Sequence, residues 1–316
     1  MTMTTPSTAL INRLAVLACL TLLSTGCRSD AAAPDDTAAT PTPSLVPVRL
    51  TQAPQTPAEL ALPLVHWTEK HTDPEPMAIH VLRVDLRDPE LEVIAMLAPD
   101  PDGDGPAEAA LADPVQLATQ YRALAAVNAN SFEGLPGPDG TPDRAWRVDL
   151  PVDILGVAVN DSRRTSGPNP GTGNGFAFWV DSHGAAHIGP VPAEDADVAE
   201  AVNAWCIDLV ADGKPLPQAG GDRHPRTAVG LSADRRWLFL VVVDGRQPKH
   251  SVGMTARELA DLMASLGADR AINLDGGGSS IMLTAHPTGR FAIVNRPSDR
   301  RLRPIPVLLG VRSRTP

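Results

Sequence analysis

Beyond an N-terminal stretch, the chain alternates short apolar runs with clusters of Gly, Pro and Asp, the pattern of brief strands joined by turns. Residues 78–86 and 91–96 read as a hairpin turning at Asp88-Pro89. Helical spacing over 114–124 leads into 125–132, an apolar strand with a polar end, and 133–153 then reads as a loop forming a rim or lid. Strands follow at 154–159, 176–180, 186–188 and 202–210, the last turning at Asp212-Gly213. Residues 227–231 and 237–243 are continuously apolar, and the second lacks the alternation that a solvated face would impose, so it is expected to be buried on both sides. Thr255 and Glu258 form a capping box ahead of a helix whose Leu259, Leu262, Met263 and Leu266 make one core-facing stripe ending at Gly267. A short strand, 271–274, runs into Asp275-Gly276-Gly277-Gly278-Ser279-Ser280, and apolar sequence resumes at 281–283. With strands many and helices few, the expectation is a single α+β domain over 61–316, its mixed, largely antiparallel sheets covered by a few helices.

The N-terminus is a separate problem. Arg13 precedes an apolar run over 14–23, then Ser24, Thr25, Gly26 and Cys27, which has the order of an export leader and is too short to span a membrane comfortably. Cys27 after a small residue resembles the acylation site of bacterial lipoproteins, with Ser24 where that motif usually has Leu. Residues 1–26 are thus expected to be removed. The exported remainder is then either anchored to a membrane by lipid on Cys27 or released as a periplasmic or secreted protein. Residues 27–60 carry Pro34, Pro41, Pro43, Pro47, Pro54 and Pro57 among Ala, Thr, Asp and Gln, too little apolar surface to fold, and read as a tether.

Charge narrows the partners. The chain has 316 residues, 27 Lys+Arg against 37 Asp+Glu and a net charge of −10, which argues against nucleic acid. Cys206, between Trp205 and Ile207, reads as a small buried hydrophobe. His183 and His187 flank Gly184 and belong to a hairpin turn at the surface. Asp100, Asp102, Asp104 and Gly105 copy the first half of a calcium loop, but Leu111 stands where the closing Glu is needed, so an acidic turn is the simpler reading. That half-motif is the one trace of a divalent cation; no motif requires a cofactor.

Three consecutive glycines are entropically unfavourable unless backbone must approach something closely. Flanked by Asp275, Ser279 and Ser280, the loop offers N–H donors to an anion such as phosphate, yet it lacks the Lys of a Walker loop and leads into a strand. Arg226 and Arg246 lie at strand boundaries and are fork donors suited to phosphate oxygens. Asp244 and Asp275 end two apolar strands. If those strands lie close together, two acids, two arginines and a glycine nest converge; otherwise the same residues are ordinary turn chemistry and surface ion pairs.

Pro225-Arg226-Thr227-Ala228-Val229-Gly230, Val242-Val243-Asp244-Gly245-Arg246-Gln247, Gly253-Met254-Thr255 to Glu258-Leu259-Ala260, Asn273-Leu274-Asp275-Gly276-Gly277-Gly278-Ser279-Ser280 and Asn295-Arg296-Pro297-Ser298-Asp299 follow one another in order. Together they closely resemble the phosphodiester glycosidase family, with weaker similarity upstream at Val202-Asn203, Asp212-Gly213 and Asn128-Ala129-Asn130-Ser131-Phe132. The resemblance implies hydrolysis of a sugar 1-phosphodiester at the anomeric carbon, with a phosphoglycan or small sugar phosphodiester as substrate. On that reading Arg226, Arg246 and the 276–280 backbone stabilise the departing phosphate. Asp275 or Asp244 serves the oxocarbenium-like centre as nucleophile or as base. Asn128, Asn273 and Asn295 are candidates for sugar hydroxyls. Two stretches depart from the family pattern: 128–132, and Arg300-Arg301-Leu302-Arg303, where an acid usually precedes the final Arg. Two rivals stand beside this reading: a serine hydrolase using Ser279, which has neither a nucleophile elbow nor a placed His, and a catalytically silent module binding phosphate-linked glycopolymers.

Overall fold

The computed structural model describes residues 53, 62–168, 176–192, 197–203, 207–218, 221–286 and 288–315. The leader, Cys27, nearly all of the tether and Cys206 lie outside them. The chain divides into units 1–44 and 45–316, and the described residues belong to the second. Among them no helix is long and apolar enough to cross a membrane.

Four sheets carry the fold. A seven-stranded sheet has the order β1 (Leu64–His71), β2 (Met77–Asp85), β16 (Trp237–Val243), β15 (Arg226–Leu231), β17 (Arg270–Asn273), β13 (Ile207–Ala211), β14 (Lys214–Pro215). A five-stranded sheet packs against it in the order β19 (Phe291–Ile293), β18 (Met282–Ala285), β5 (Ala123–Asn128), β20 (Val307–Ser313), β3 (Leu91–Leu97). The second five-stranded sheet is β11 (Ala186–Pro190), β10 (Phe176–Asp181), β12 (Val198–Val202), β8 (Ala158–Asn160), β9 (Arg163–Ser166), and the small one is β4 (Ala109–Ala110), β7 (Pro151–Leu155), β6 (Ser131–Gly134).

Strands β16 and β2 show why continuous apolar runs occur in an antiparallel sheet. Leu238, Leu240, Val242, Leu82 and Val84 face the main core between the sheets. Phe239, Val241, Val243, Ile79 and Val81 face a second core closed by α2 (Ala256–Ser265) through Leu259, Leu262 and Met263. Both faces being covered, alternation disappears. The capping box forms: Thr255 Oγ1 accepts from the Glu258 amide at 3.2 Å and Glu258 Oε2 accepts from the Thr255 amide at 2.9 Å.

Every strand pairing among the described residues is antiparallel, and the only α-helices there are α1 (Pro114–Gln120) and α2. The α+β expectation therefore overstated the helical share and the mixing of strand directions. Helix α1 ends four residues earlier than expected, because residues 123 and 124 are recruited into β5 between β18 and β20, where tertiary pairing overrides helix propensity. The expected strands over 125–132, 154–159 and 202–210 are each two strands. The expected loop 133–153 is the inside of a β6–β7 hairpin, and its 135–150 segment packs Trp146 edge-on against Phe132 at 5.1 Å. Asp100 accepts amide hydrogens from Asp102 and Gly103, closing an acidic turn on itself.

The open edge at β3 is covered by side chains. Glu200 of β12 accepts from the Ala95 amide at 2.8 Å and the Asp161 amide at 3.2 Å, and Asn160 donates to the Ala95 carbonyl at 2.7 Å. Together they take the place of a further strand. Burial raises the Glu200 pKa to about 7, despite the two amides that favour its charged form. A carboxyl raised in the folded state contributes stability below its ordinary pKa of 4.5 and loses that contribution as pH rises through 7. Up to about 3 kcal/mol of stability is therefore expected to disappear between pH 5 and 8. Glu200→Gln flattens this slope in thermal unfolding measured across that range; an unchanged slope would place its origin elsewhere.

Candidate active site

Sheet order brings the candidate residues together. Strand β15 lies between β16 and β17 and runs antiparallel to both, so Arg226 pairs with Val243 and Ala228 with Asn273. The start of β15 thus sits beside the ends of β16 and β17, and Arg226, Arg246 and Asp275 emerge at one end of these three central strands. They line a cleft of about 250 Å³ together with His224, Pro225, Asn273, Gly276, Gly277, Gly278 and Arg303.

The glycines are explained by close approach. Gly277 has φ +66°, and a Cβ there would lie 3.1 Å from the Arg246 guanidinium. At Gly278 a Cβ would overlap the Asp299 carboxylate. The expected nest of loop amides is partly spent, however. The Asp275 amide donates to Ala129 O at 2.9 Å and the Gly277 amide to Pro225 O at 3.0 Å. Arginine side chains are therefore the cleft's principal donors.

Arg226 is tethered by Nε to Met254 O at 3.0 Å. Burial and the neighbouring Arg246 both push its pKa down, so two cations share a confined space that an anion would relieve. Arg246 stands in the left-handed region, φ 59°, a conformation non-glycine residues adopt rarely and mostly where surroundings enforce it. Its Nη2 lies 3.4 Å from His224 Nδ1. Since arginine can only donate, His224 Nδ1 accepts and its proton resides on Nε2. Burial, then Arg246 and Arg226, lower the His224 pKa, with exposed Asp222 acting weakly the other way. Arg303 Nε and Nη2 both donate to Asp299 Oδ2, at 2.9 and 2.7 Å, and the guanidinium rests 5.7 Å over the ring of Trp146, in the 135–150 segment. Asp275 Oδ1 accepts from Ser131 Oγ at 3.1 Å.

Other candidates lie outside the cleft lining. Asp244 is 1% exposed, beneath the cleft. Its carboxylate accepts from Asn295 Nδ2 at 3.0 Å and the Arg296 amide at 2.9 Å, with imidazole nitrogens of His250 at 2.7 Å and His80 at 3.3 Å. Burial alone would raise the Asp244 pKa; the bonds to His80, His250 and Asn295 outweigh it and lower it. Asn295 also donates to Ser280 O and accepts from the Met282 amide. Asn128 donates to Asp275 O at 2.7 Å and accepts from Thr227 Oγ1 and the Ile281 amide, fastening β5 to the glycine loop. Ser279 and Ser280 are buried, so Ser279 presents no nucleophile to the cleft. Of the three asparagines expected to meet sugar hydroxyls only Asn273 lines it; its Nδ2 donates to Leu274 O, and its buried Oδ1 has no partner among the described residues. Sequence reasoning missed His224, although it adjoins the Pro225-Arg226 motif, and noted Ser131 only within the 128–132 departure. It noted Arg303 only as part of a departure.

The fold and cleft are those of an antiparallel β protein with an arginine-lined cleft that also bears a carboxylate. Residues 121–312, more than half of the chain, match the family model described as Phosphodiester glycosidase, and the chain belongs to that family. It is similar to the catalytic domain of zebrafish N-acetylglucosamine-1-phosphodiester alpha-N-acetylglucosaminidase, a structure auto-inhibited by its pro-peptide, with a TM-score of 0.56 and 21% identity over 79% of this chain and 83% of that one. A Burkholderia pseudomallei K96243 protein matches with a TM-score of 0.52 and 19% identity over 75% of this chain and 74% of that one. The SPbeta prophage-derived uncharacterized protein YomE of Bacillus subtilis (strain 168) is 45% identical over 83 residues, 24% of this chain and 13% of that protein's length.

Proposed function

We propose that the cleft hydrolyses sugar 1-phosphodiesters at the anomeric carbon, releasing free sugar and a phosphomonoester. The observation that carries this reading is one carboxylate, Asp275, facing a cleft whose other charged groups are arginines, with a neutral histidine donor beside them. A phosphate leaving group departs as a weakly basic anion and needs charge stabilisation more than it needs a strong general acid. Arg226, Arg246 and Arg303 supply that charge, and His224 Nε2–H adds a neutral donor. Asp275, steadied by Ser131, stabilises the positive charge that grows on the anomeric carbon. Asn273, at the cleft wall, is the asparagine left as a candidate for a sugar hydroxyl. The N-terminal pattern at Arg13, 14–23 and Cys27 supports an exported protein held at a membrane by lipid, acting on envelope or extracellular phosphoglycans. Labelling with radioactive palmitate, and its loss in Cys27→Ser, tests the anchor.

The assay measures sugar release by the full chain from α-linked N-acetylglucosamine 1-phosphodiesters and a panel of other sugar 1-phosphodiesters, with and without chelator. Arg226→Gln is expected to reduce kcat/KM about 100-fold, the loss of one charge-stabilising donor. The anomer first formed, followed by proton NMR, distinguishes attack by Asp275 from attack by a water it activates. Binding of these esters without turnover by any of them would identify a binding module instead.

A further inference from the structure

We infer that the cleft continues into a second phosphate subsite, formed by Arg296, Arg300 and Arg301, and that the substrate is a glycan whose successive units are joined by phosphodiesters. The inference rests on the proposed reaction and extends it from a single linkage to a polymer.

Pairing of charges is the first ground. Some arginines sit on carboxylates, as Arg87 does on Asp234, Arg236 on Asp85, Arg312 on Glu92 and Arg303 on Asp299, and others, such as Arg122 and Arg290, do not. Five of the unpaired ones lie in the cleft or on the 295–303 segment beside it. Arg226, Arg246, Arg296, Arg300 and Arg301 have no carboxylate partner among the described residues, although acids outnumber bases in the chain. Arg296, Arg300 and Arg301 are exposed. Unpaired like charges held near one another are unfavourable unless an anion visits them.

Placement is the second ground. Segment 295–303 is bound to the cleft at both ends and is not a free surface tail. At one end the Arg296 amide donates to Asp244, and Gln247, next to Arg246, donates from Nε2 to Arg296 O at 2.8 Å. At the other end Asp299 packs on Gly278 and holds Arg303 at the cleft wall. The three exposed arginines therefore lie on the backbone that borders the cleft. A single phosphodiester carries one negative charge, and the cleft already matches it, since Arg226, Arg246 and Arg303 less the carboxylates of Asp275 and Asp299 leave a net charge of about +1. Further cations on the border match a neighbouring phosphate of the same chain. Nucleic acid also presents serial phosphodiesters, but the net charge of −10 opposes it, and the patch is confined to the border of a cleft instead of spreading over a face.

The test uses two probes: methyl α-N-acetylglucosaminyl phosphate, with one phosphodiester, and an α-1-phosphate-linked trimer of N-acetylglucosamine, with two. Affinities are measured by calorimetry in the Asp275→Asn background, so that neither probe is consumed, with and without Arg296→Gln, Arg300→Gln and Arg301→Gln. The trimer is expected to bind at least about tenfold more tightly than the monomer, with a steeper salt dependence. The triple variant is expected to remove that advantage and leave monomer affinity within about twofold. With the Asp275 chain, the same variant lowers kcat/KM for the trimer alone. Equal affinities for the two probes, or equal losses on both, would overturn the second subsite, as would tighter binding of a trinucleotide carrying the same two phosphodiesters. Failure of turnover with the trimer preference intact would instead overturn the reaction and leave the subsite standing.

Discussion

Asp275→Asn is expected to reduce kcat for sugar release by about 10³- to 10⁴-fold while leaving the affinity for a sugar phosphodiester within a few-fold of the parent. Two features make the contrast sharp. The substitution is isosteric and Ser131 Oγ can still donate to the amide oxygen, so the loop that Asn128 fastens through the Asp275 carbonyl keeps its position. The cations that hold the phosphate, Arg226, Arg246 and Arg303, are unchanged. What is lost is the negative charge opposite the anomeric carbon, which acts as the glycosidic bond breaks and contributes little to ground-state binding. Measuring kcat by single turnover and Kd by calorimetry on one preparation separates these terms. A parallel fall in both would mean that Asp275 organises the cleft and takes no part in the reaction.

The comparison of Asp275 with Asp244 shows how far the sequence could be read. Both follow apolar strands and precede glycine, and nothing local distinguishes them. Their fates are set by residues far away. Asp244 is met by His80, 164 positions earlier, and Asn295, 51 later, whereas Asp275 opens to a cleft because Asn128, 147 positions earlier, holds its carbonyl and leaves its carboxylate facing out. Strand ends, capping box and glycine loop were legible because each is a local pattern with a local cause. The closeness of β16 and β17 was legible only as a condition, and the structure satisfies it by inserting β15 between them. His224 escaped notice because its significance comes from Arg246, 22 residues away. The excess of helix had a local origin too: residues 121–124 suit a helix, and only their pairing partners, distant in sequence, make a strand of 123 and 124.

Asp244→Ala is expected to destabilise the fold by about 3–5 kcal/mol, the range found when one partner is removed from a buried charged network. In a domain of this size that lowers Tm by about 10 °C. The magnitude follows from what the carboxylate gathers. It joins β2 through His80, the turn after Arg246 through His250, and the 295–296 segment through a side-chain amide and a backbone amide. Removing it leaves buried donors unsatisfied, each costing about 1–3 kcal/mol. Acid should reproduce part of the effect. Because the folded state lowers the Asp244 pKa below its ordinary value of 3.8, its contribution is complete above that pH and fades as pH falls below it. Asp244→Asn removes this titration, so its acid unfolding limb should be shallower than the parent's, with lower stability throughout the neutral range. The same network positions the site, since Arg246 and Arg296 lie on the two segments it ties together. At temperatures where Asp244→Asn remains folded, KM is expected to rise several-fold and kcat to change less. A purely structural Asp244 would shift Tm and the acid limb but leave KM where it was.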